Sequence, residues 1–209
     1  MKTIIVSSLL FLASIALSQV NITGNDLRIY QFDKGNMTDN DVIIFTPNDH
    51  VIVGDGKLKL FSKFRNNIVR ARLRHKVRNG SEIVVKVDNI PFNADGRIKL
   101  ITSENNYCEL MFYDNEGIKS LVISEKILSN DESYIYRKVT PLSTPIHIKI
   151  SVQKDKTLFS LGYAGRSFDK FFETDLVLDN FMIQLESSTK IDNPYTSVDI
   201  DWVIVSTEK

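Results

Sequence analysis

From Leu27 onward apolar and polar side chains alternate along the chain, in short runs rich in β-branched and aromatic residues and bounded by Asn, Asp, Gly and Pro. Successive side chains of a strand point to opposite faces, so this period of two describes strands with one dry face and one wet face. The alternation predicts strands at Leu27–Gln31, Val42–Thr46, His50–Val53, Lys57–Phe61, Ile68–Lys76, Glu82–Asp88 and Arg97–Thr102. Others follow at Tyr107–Tyr113, Ile118–Ser124, Tyr134–Lys138, Ile146–Gln153, Thr157–Tyr163, Phe181–Glu186 and Val198–Val205. Tight turns belong at Gly54-Asp55-Gly56, Asn79-Gly80, Asn93-Ala94-Asp95-Gly96, Asp114-Asn115-Glu116-Gly117 and Lys154-Asp155-Lys156. No stretch keeps the stripe that a helix needs; Phe168–Leu176 comes nearest. Many short strands at regular spacing predict an all-β antiparallel sandwich or barrel.

The first eighteen residues are of another kind. Lys2 precedes an apolar run from Thr3 to Leu17, and Ala16-Leu17-Ser18 offers small residues where a signal peptidase cuts. The run is shorter than the roughly twenty residues that cross a bilayer as a helix. The expectation is a signal peptide over 1–18, a single β-sandwich domain over 19–209 and a secreted protein. No later apolar run reaches membrane-spanning length, so no transmembrane segment is expected. Sequons at Asn21, Asn36 and Asn79 are candidate glycosylation sites, with Asn79 the best placed because it stands in a turn. A lone cysteine, Cys108, rules out an internal disulfide and leaves the domain to rest on its apolar core. Basic and acidic residues number 26 each, a balance that argues against bulk nucleic-acid binding.

Several segments, taken in order, resemble the concanavalin A-like lectin/glucanase jelly-roll superfamily. Asp55-Gly56-Lys57-Leu58-Lys59-Leu60 is similar to its early "DG-x-L-x-L" strand, and Glu82–Val87 to the strand that follows. Asn106–Tyr113 with Ile118–Ser124 resembles a hairpin opened by "N-Y-x-x-L". His147–Val152, Thr157–Gly162 and Val198–Val203 resemble the closing strands. The resemblance spans Val51 to Val205 and implies two antiparallel sheets, with carbohydrate usually held on the concave one. Hydrolases of that superfamily carry E-x-D-x-E or E-x-D-x-x-E on one strand. Here the only E-x-D is Glu173-Thr174-Asp175, without a second glutamate and late in the chain. The resemblance therefore implies binding rather than retaining hydrolysis, and no catalytic residue is assigned.

No other catalytic signature, phosphate loop or metal-ligand spacing is present. Asp49, Asp55, Asp199 and Asp201 could ligate calcium, but turn stabilisation accounts for scattered aspartates, and no metal or cofactor is assigned. Two polar faces remain. Arg70, Arg72, Arg74, Lys76 and Arg78 fall on one side of a strand at intervals of about 6.6 Å, a row suited to an anionic glycan or other extracellular polyanion. An outer face neutralised by neighbouring strands, for instance by Asp199 and Asp201, would read the same. Tyr107, Glu109, Met111 and Tyr113 lie opposite Cys108, Leu110 and Phe112, which buries the thiol and turns tyrosines and a carboxylate outward, the groups that stack on sugars and bind their hydroxyls. His147 and Gln153 share that character, with Lys149, so the candidate ligand-binding set is Tyr107, Glu109, Tyr113, His147 and Gln153. Trp202 alternates with Ile200 and Ile204 and is expected in the core. The leading expectation is a secreted, non-catalytic carbohydrate-binding module. A structural or adhesive protein without glycan affinity, and a hydrolase or lyase with an unfamiliar site, are the alternatives.

Overall fold

The structure, a computed structural model, describes residues 26–32, 42–44, 50–65, 67–103, 106–115, 118–126, 133–136, 142–163, 167–189 and 197–207. The expected signal segment, Asn21, Asn36 and Asp49 lie outside these. Among the described residues no helix is long and apolar enough to cross a membrane.

Among the described residues fifteen strands run β1 (Asp26–Gln31), β2 (Val42–Ile44), β3 (Val51–Gly54), β4 (Lys57–Leu60), β5 (Ile68–Val77), β6 (Ser81–Asn89), β7 (Ala94–Ser103) and β8 (Asn106–Asn115). They continue with β9 (Ile118–Lys126), β10 (Ser133–Tyr136), β11 (Ile146–Val152), β12 (Thr157–Gly162), β13 (Asp169–Thr174), β14 (Phe181–Thr189) and β15 (Val198–Thr207). They form two antiparallel sheets. The first, of eight strands, is ordered β13-β12-β11-β6-β15-β4-β3, with β1 also on β15; the second, of seven, is ordered β10-β9-β8-β7-β14-β5-β2. The sheets are open rather than closed into a barrel, and the architecture is the expected two-sheet sandwich.

The dry residues of each alternating run meet between the sheets. Ile83, Val85 and Val87 of β6, Ile146, Ile148 and Ile150 of β11, and Val203 and Val205 of β15 face Ile98 and Leu100 of β7, Leu110 and Phe112 of β8, and Ile183 and Leu185 of β14. Cys108 is buried in this layer. Asp55 (φ 55°) and Gly56 (φ 72°) join β3 to β4 as a two-residue turn with both central residues in the left-handed region, the hairpin that suits strand twist.

Three local expectations are corrected. Phe168–Leu176, where the alternation predicts no strand and no helical stripe is sustained, contains edge strand β13, whose exposed and half-buried residues hide its period because little covers it. Gly96 is not in a turn, since β7 already begins at Ala94. Gly96 faces inward opposite Phe112, and a Cβ there would lie 1.9 Å from the Phe112 ring, so this position needs glycine for close approach. Trp202 is not core: the pairing of β15 with β6 shifts between Ile200 and Trp202, and this bulge sends Trp202 outward with Ile204 while Ile200 stays inside.

Candidate functional site

The antiparallel register of the second sheet lays its outward side chains in rungs across β5, β14, β7 and β8. One rung reads Arg72, Gln184, Lys99, Glu109; the next reads Arg70, Glu186, Arg97, Met111. The two faces that the sequence offers separately, the basic row and the Tyr107–Tyr113 series, are therefore parts of one surface.

Glu186 is its hub. Its side chain is 1% exposed; Arg70 Nε approaches Oε1 at 3.1 Å, and Lys99 Nζ and Arg97 Nη1 approach Oε2 at 3.2 and 3.6 Å. Gln184 Nε2 donates to the same Oε1, and the Gln184 amide oxygen accepts from Arg72 Nε at 3.0 Å and from its Nη2. Lys99 also reaches Glu109 Oε2 at 2.9 Å and lies 4.8 Å from the centre of the Tyr107 ring. Burial of such groups is tolerable only when they are paired, and here each is held by the next. Two atoms escape that: Arg97 Nε and Glu186 Oε2 are buried without a hydrogen-bond partner, Oε2 being served by ion-pair contacts alone. Across the two rungs four cations face two carboxylates, so positive charge is in excess.

Above this network lies a groove of about 630 Å³. Arg70, Arg72, Gln184, Glu186 and Lys99 line one part, and Met182, Ile101, Thr102, Ser103 and Tyr107 the other. Of the sequence candidates, Arg70, Arg72 and Tyr107 line it and Glu109 holds Lys99 behind it. Tyr113 stands at the far end of the same strand face, opposite Asp95. Arg74 and Lys76 are exposed on β5, and Lys76 pairs across to Met182 of the groove; Arg78 is exposed just past the strand. Asp199 and Asp201 do not neutralise this row, for β15 belongs to the other sheet; Glu186 is the acid beside it.

His147 and Gln153 lie apart. His147 sits on the outer face of the first sheet, stacked on Trp202 at 5.4 Å and 27° and 6.5 Å from the Phe168 ring. Burial, helped by the charge of Lys86, pushes its pKa below the ordinary 6.5 against the pull of Asp201 and Asp88. Nearby Lys86 bonds Asp201 and pairs with Asp88, and Asp88 also pairs with Lys57 at 2.8 Å. Desolvation works to raise the Asp88 pKa, but the Lys57 hydrogen bond and the charge of Lys86 outweigh it and hold it below the usual value. Gln153, just beyond β11, lines a second hollow of about 520 Å³ with Asn79, Glu82 and Lys154. Asn79, the best-placed sequon, is half-buried in the turn before β6. Glu173, of the lone E-x-D, is exposed on edge strand β13 and paired with Lys170, away from the groove. Asp55, Asp199 and Asp201 do not converge, and the described residues hold no cluster of three metal-ligating side chains.

The sequence matches no protein-family profile, and no curated protein matches it. Solved structures do match. The Bacteroides ovatus protein xyloglucan PUL GH43B superposes with a TM-score of 0.68 at 14% identity, over 90% of this chain and 40% of that one, so this chain spans about two fifths of its length. A structure from work on endo-acting O-glycanases, with which members of the human gut microbiota initiate mucin breakdown, gives 0.66 at 12% identity over 88% and 100%. A legume lectin-like domain from Entamoeba histolytica gives 0.61 at 11% identity over 81% and 91%. The likeness at these identities is one of fold: the chain is a concanavalin A-like β-sandwich.

Proposed function

We propose that the protein is a secreted, non-catalytic carbohydrate-binding module, with its site in the groove over β5, β14, β7 and β8 and a preference for anionic glycans. The carrying observation is the groove itself: a half-buried tyrosine ring beside a fixed array of guanidinium, ammonium, amide and carboxylate groups, with positive charge in excess. Sugars need a ring to stack on and polar groups already oriented for their hydroxyls, and a network locked by its own ion pairs provides that orientation without further ordering. Structural neighbours that include a lectin-like domain and proteins named for glycan breakdown support the same reading. The apolar segment at 3–17 is the support for secretion.

One observation favours the hydrolase alternative. Lys99 touches both Glu109 and Glu186, so the carboxylates are no more than about 6 Å apart, near the spacing that retaining glycosidases use. Against it, both are committed to Lys99, and Glu186 also to Arg70 and Arg97, as counter-ions.

A glycan array tests the proposal. Saturable binding to acidic glycans, abolished by Tyr107→Ala and by Arg72→Ser, is the expected result, with no reducing ends released from a bound glycan on prolonged incubation. An array blank for neutral and acidic glycans alike would remove the proposal, and release of reducing ends would replace it with the hydrolase.

A further inference from the structure

On the reading that this groove is a glycan site, we infer that its ligand is an extended acidic polysaccharide lying along β5, bound through repeated anionic groups rather than by a chain end. Three observations meet here. The groove runs with the strands: its lining passes from Glu186 to Met182 on β14, while Arg70 stands opposite Glu186 at one end and Lys76 opposite Met182 at the other. The basic row therefore runs beside the groove from end to end, about 13 Å from the Arg70 rung to the Lys76 rung, the usual rise over the four steps from Glu186 to Met182. Acidic partners also thin out along the row beyond Arg72. Arg70 has Glu186, Arg72 has an uncharged amide from Gln184, and among the described residues no carboxylate pairs with Arg74, Lys76 or Arg78. Lastly, the strand register shifts between Met182 and Gln184, so Arg74 falls where β5 bulges and has no residue opposite it on β14.

Like charges in a line along one strand destabilise it unless something offsets them. Elsewhere this protein does offset them: on the opposite face Lys57, Lys86 and Lys149 each have an acidic partner in contact. A compact ligand in the groove would use Arg70, Arg72 and Lys99 and leave Arg74, Lys76 and Arg78 idle. A chain with a negative group on successive sugars engages the row as one track, each contact a charge-assisted hydrogen bond. Carboxylates of uronic acids and sulfate esters share this chemistry, so both are tested.

Binding is measured by calorimetry with oligogalacturonides and with heparin fragments, each from dimer to octamer, on the wild type and on Arg74→Ser/Lys76→Ser. The affinity is expected to rise from dimer to octamer by about tenfold or more, since one further charge-assisted contact is worth roughly that factor. The double substitution should flatten the series without lowering the melting temperature, because both side chains are exposed and their loss relieves repulsion along the strand. The steeper of the two series identifies the anionic group. Affinity indifferent to length, or a rise that survives the substitution, overturns the inference and leaves a glycan site for short ligands. Equal binding of single-stranded DNA matched in charge overturns the choice of a polysaccharide. Failure of every glycan, neutral ones included, removes the underlying function and the inference with it.

Discussion

The two outer faces of the sandwich handle charge in opposite ways. On the first sheet, cations and acids stand side by side and cancel: Lys57 and Lys86 with Asp88, Lys86 with Asp201, Lys149 with Glu82. Between them Val84 and Ile204, although on the outer side of β6 and β15, are buried under Trp202 and Phe168. On the second sheet the carboxylates are withdrawn into the floor, and the cations gather above them in excess around an open groove. On the first face the lysines named here each touch a carboxylate, whereas on the second the acids are buried and cations outnumber them, which is what the proposed binding of an anion draws on. The position of the acids, rather than the number of charges, separates the two faces.

The comparison breaks first at Glu186. Glu186→Ala would leave Lys99 and Arg97, 13% and 21% exposed, with much of their counter-charge gone. Removing one partner from a buried network costs about 3 to 5 kcal/mol, because the remaining charges stay desolvated. That corresponds to a melting temperature lower by roughly 6–20 °C for a chain of this size. Asp201→Ala on the opposite face should cost under about 1 kcal/mol, since its pair is more exposed and Lys86 keeps Asp88. Thermal melts of both variants at neutral pH decide the matter. Asp201→Ala costing as much as Glu186→Ala would mean that the two faces do not differ in the way described.

The fold is far more legible in the sequence than the site, for a reason visible in particular residues. Burial repeats at every second position, so Ile83, Val85 and Val87 declare an inner face without knowledge of any neighbour. Partnership across strands has no such local mark. Glu186, Gln184, Arg97 and Lys99 are all visible as outward residues of alternating runs, yet their meeting depends on β14 entering between β5 and β7, over a hundred positions from the first. For the same reason the basic row and Tyr107 read as separate faces, and Asp199 and Asp201 read as neighbours of a strand they never meet. Trp202 was misplaced by a different cause: a bulge changes the phase of alternation, and its sequence signature is no more than one extra residue.

Trp202 gives the next largest contrast. Trp202→Ala uncovers Val84 and Ile204 and removes the ring stacked on His147. Truncating a fully buried Trp costs about 3 to 5 kcal/mol, and a half-buried one should cost about 1 to 2. Because the proposed glycan site is on the other sheet, glycan affinity should stay at the wild-type value while the melting temperature falls. Arg72→Ser should lose affinity as well as about 1 to 3 kcal/mol of stability, because the buried Gln184 oxygen loses both of its donors. Glycan binding lost in Trp202→Ala at a temperature where the variant is folded would move the site, or part of it, to the first sheet.

The finest distinction lies in pH. His147 is stacked on Trp202, lies beside the tilted Phe168 ring and faces Lys86, Asp88 and Asp201, and burial followed by the charge of Lys86 lowers its pKa. In the folded chain it therefore holds a proton less readily than in the unfolded chain. As pH falls through the ordinary value of 6.5, the unfolded chain takes up the proton first, so the stability present above that value drains away until the lower folded pKa is reached. Asp88, held below its ordinary 3.8, adds a second loss only under far more acidic conditions. A scan of melting temperature from pH 8 to pH 5 thus isolates the histidine. His147→Phe, which keeps a ring against Trp202 and cannot titrate, should flatten the decline. Parallel curves for the two proteins would show that His147 carries none of the acid sensitivity, which would then begin only with the carboxylates of the first face.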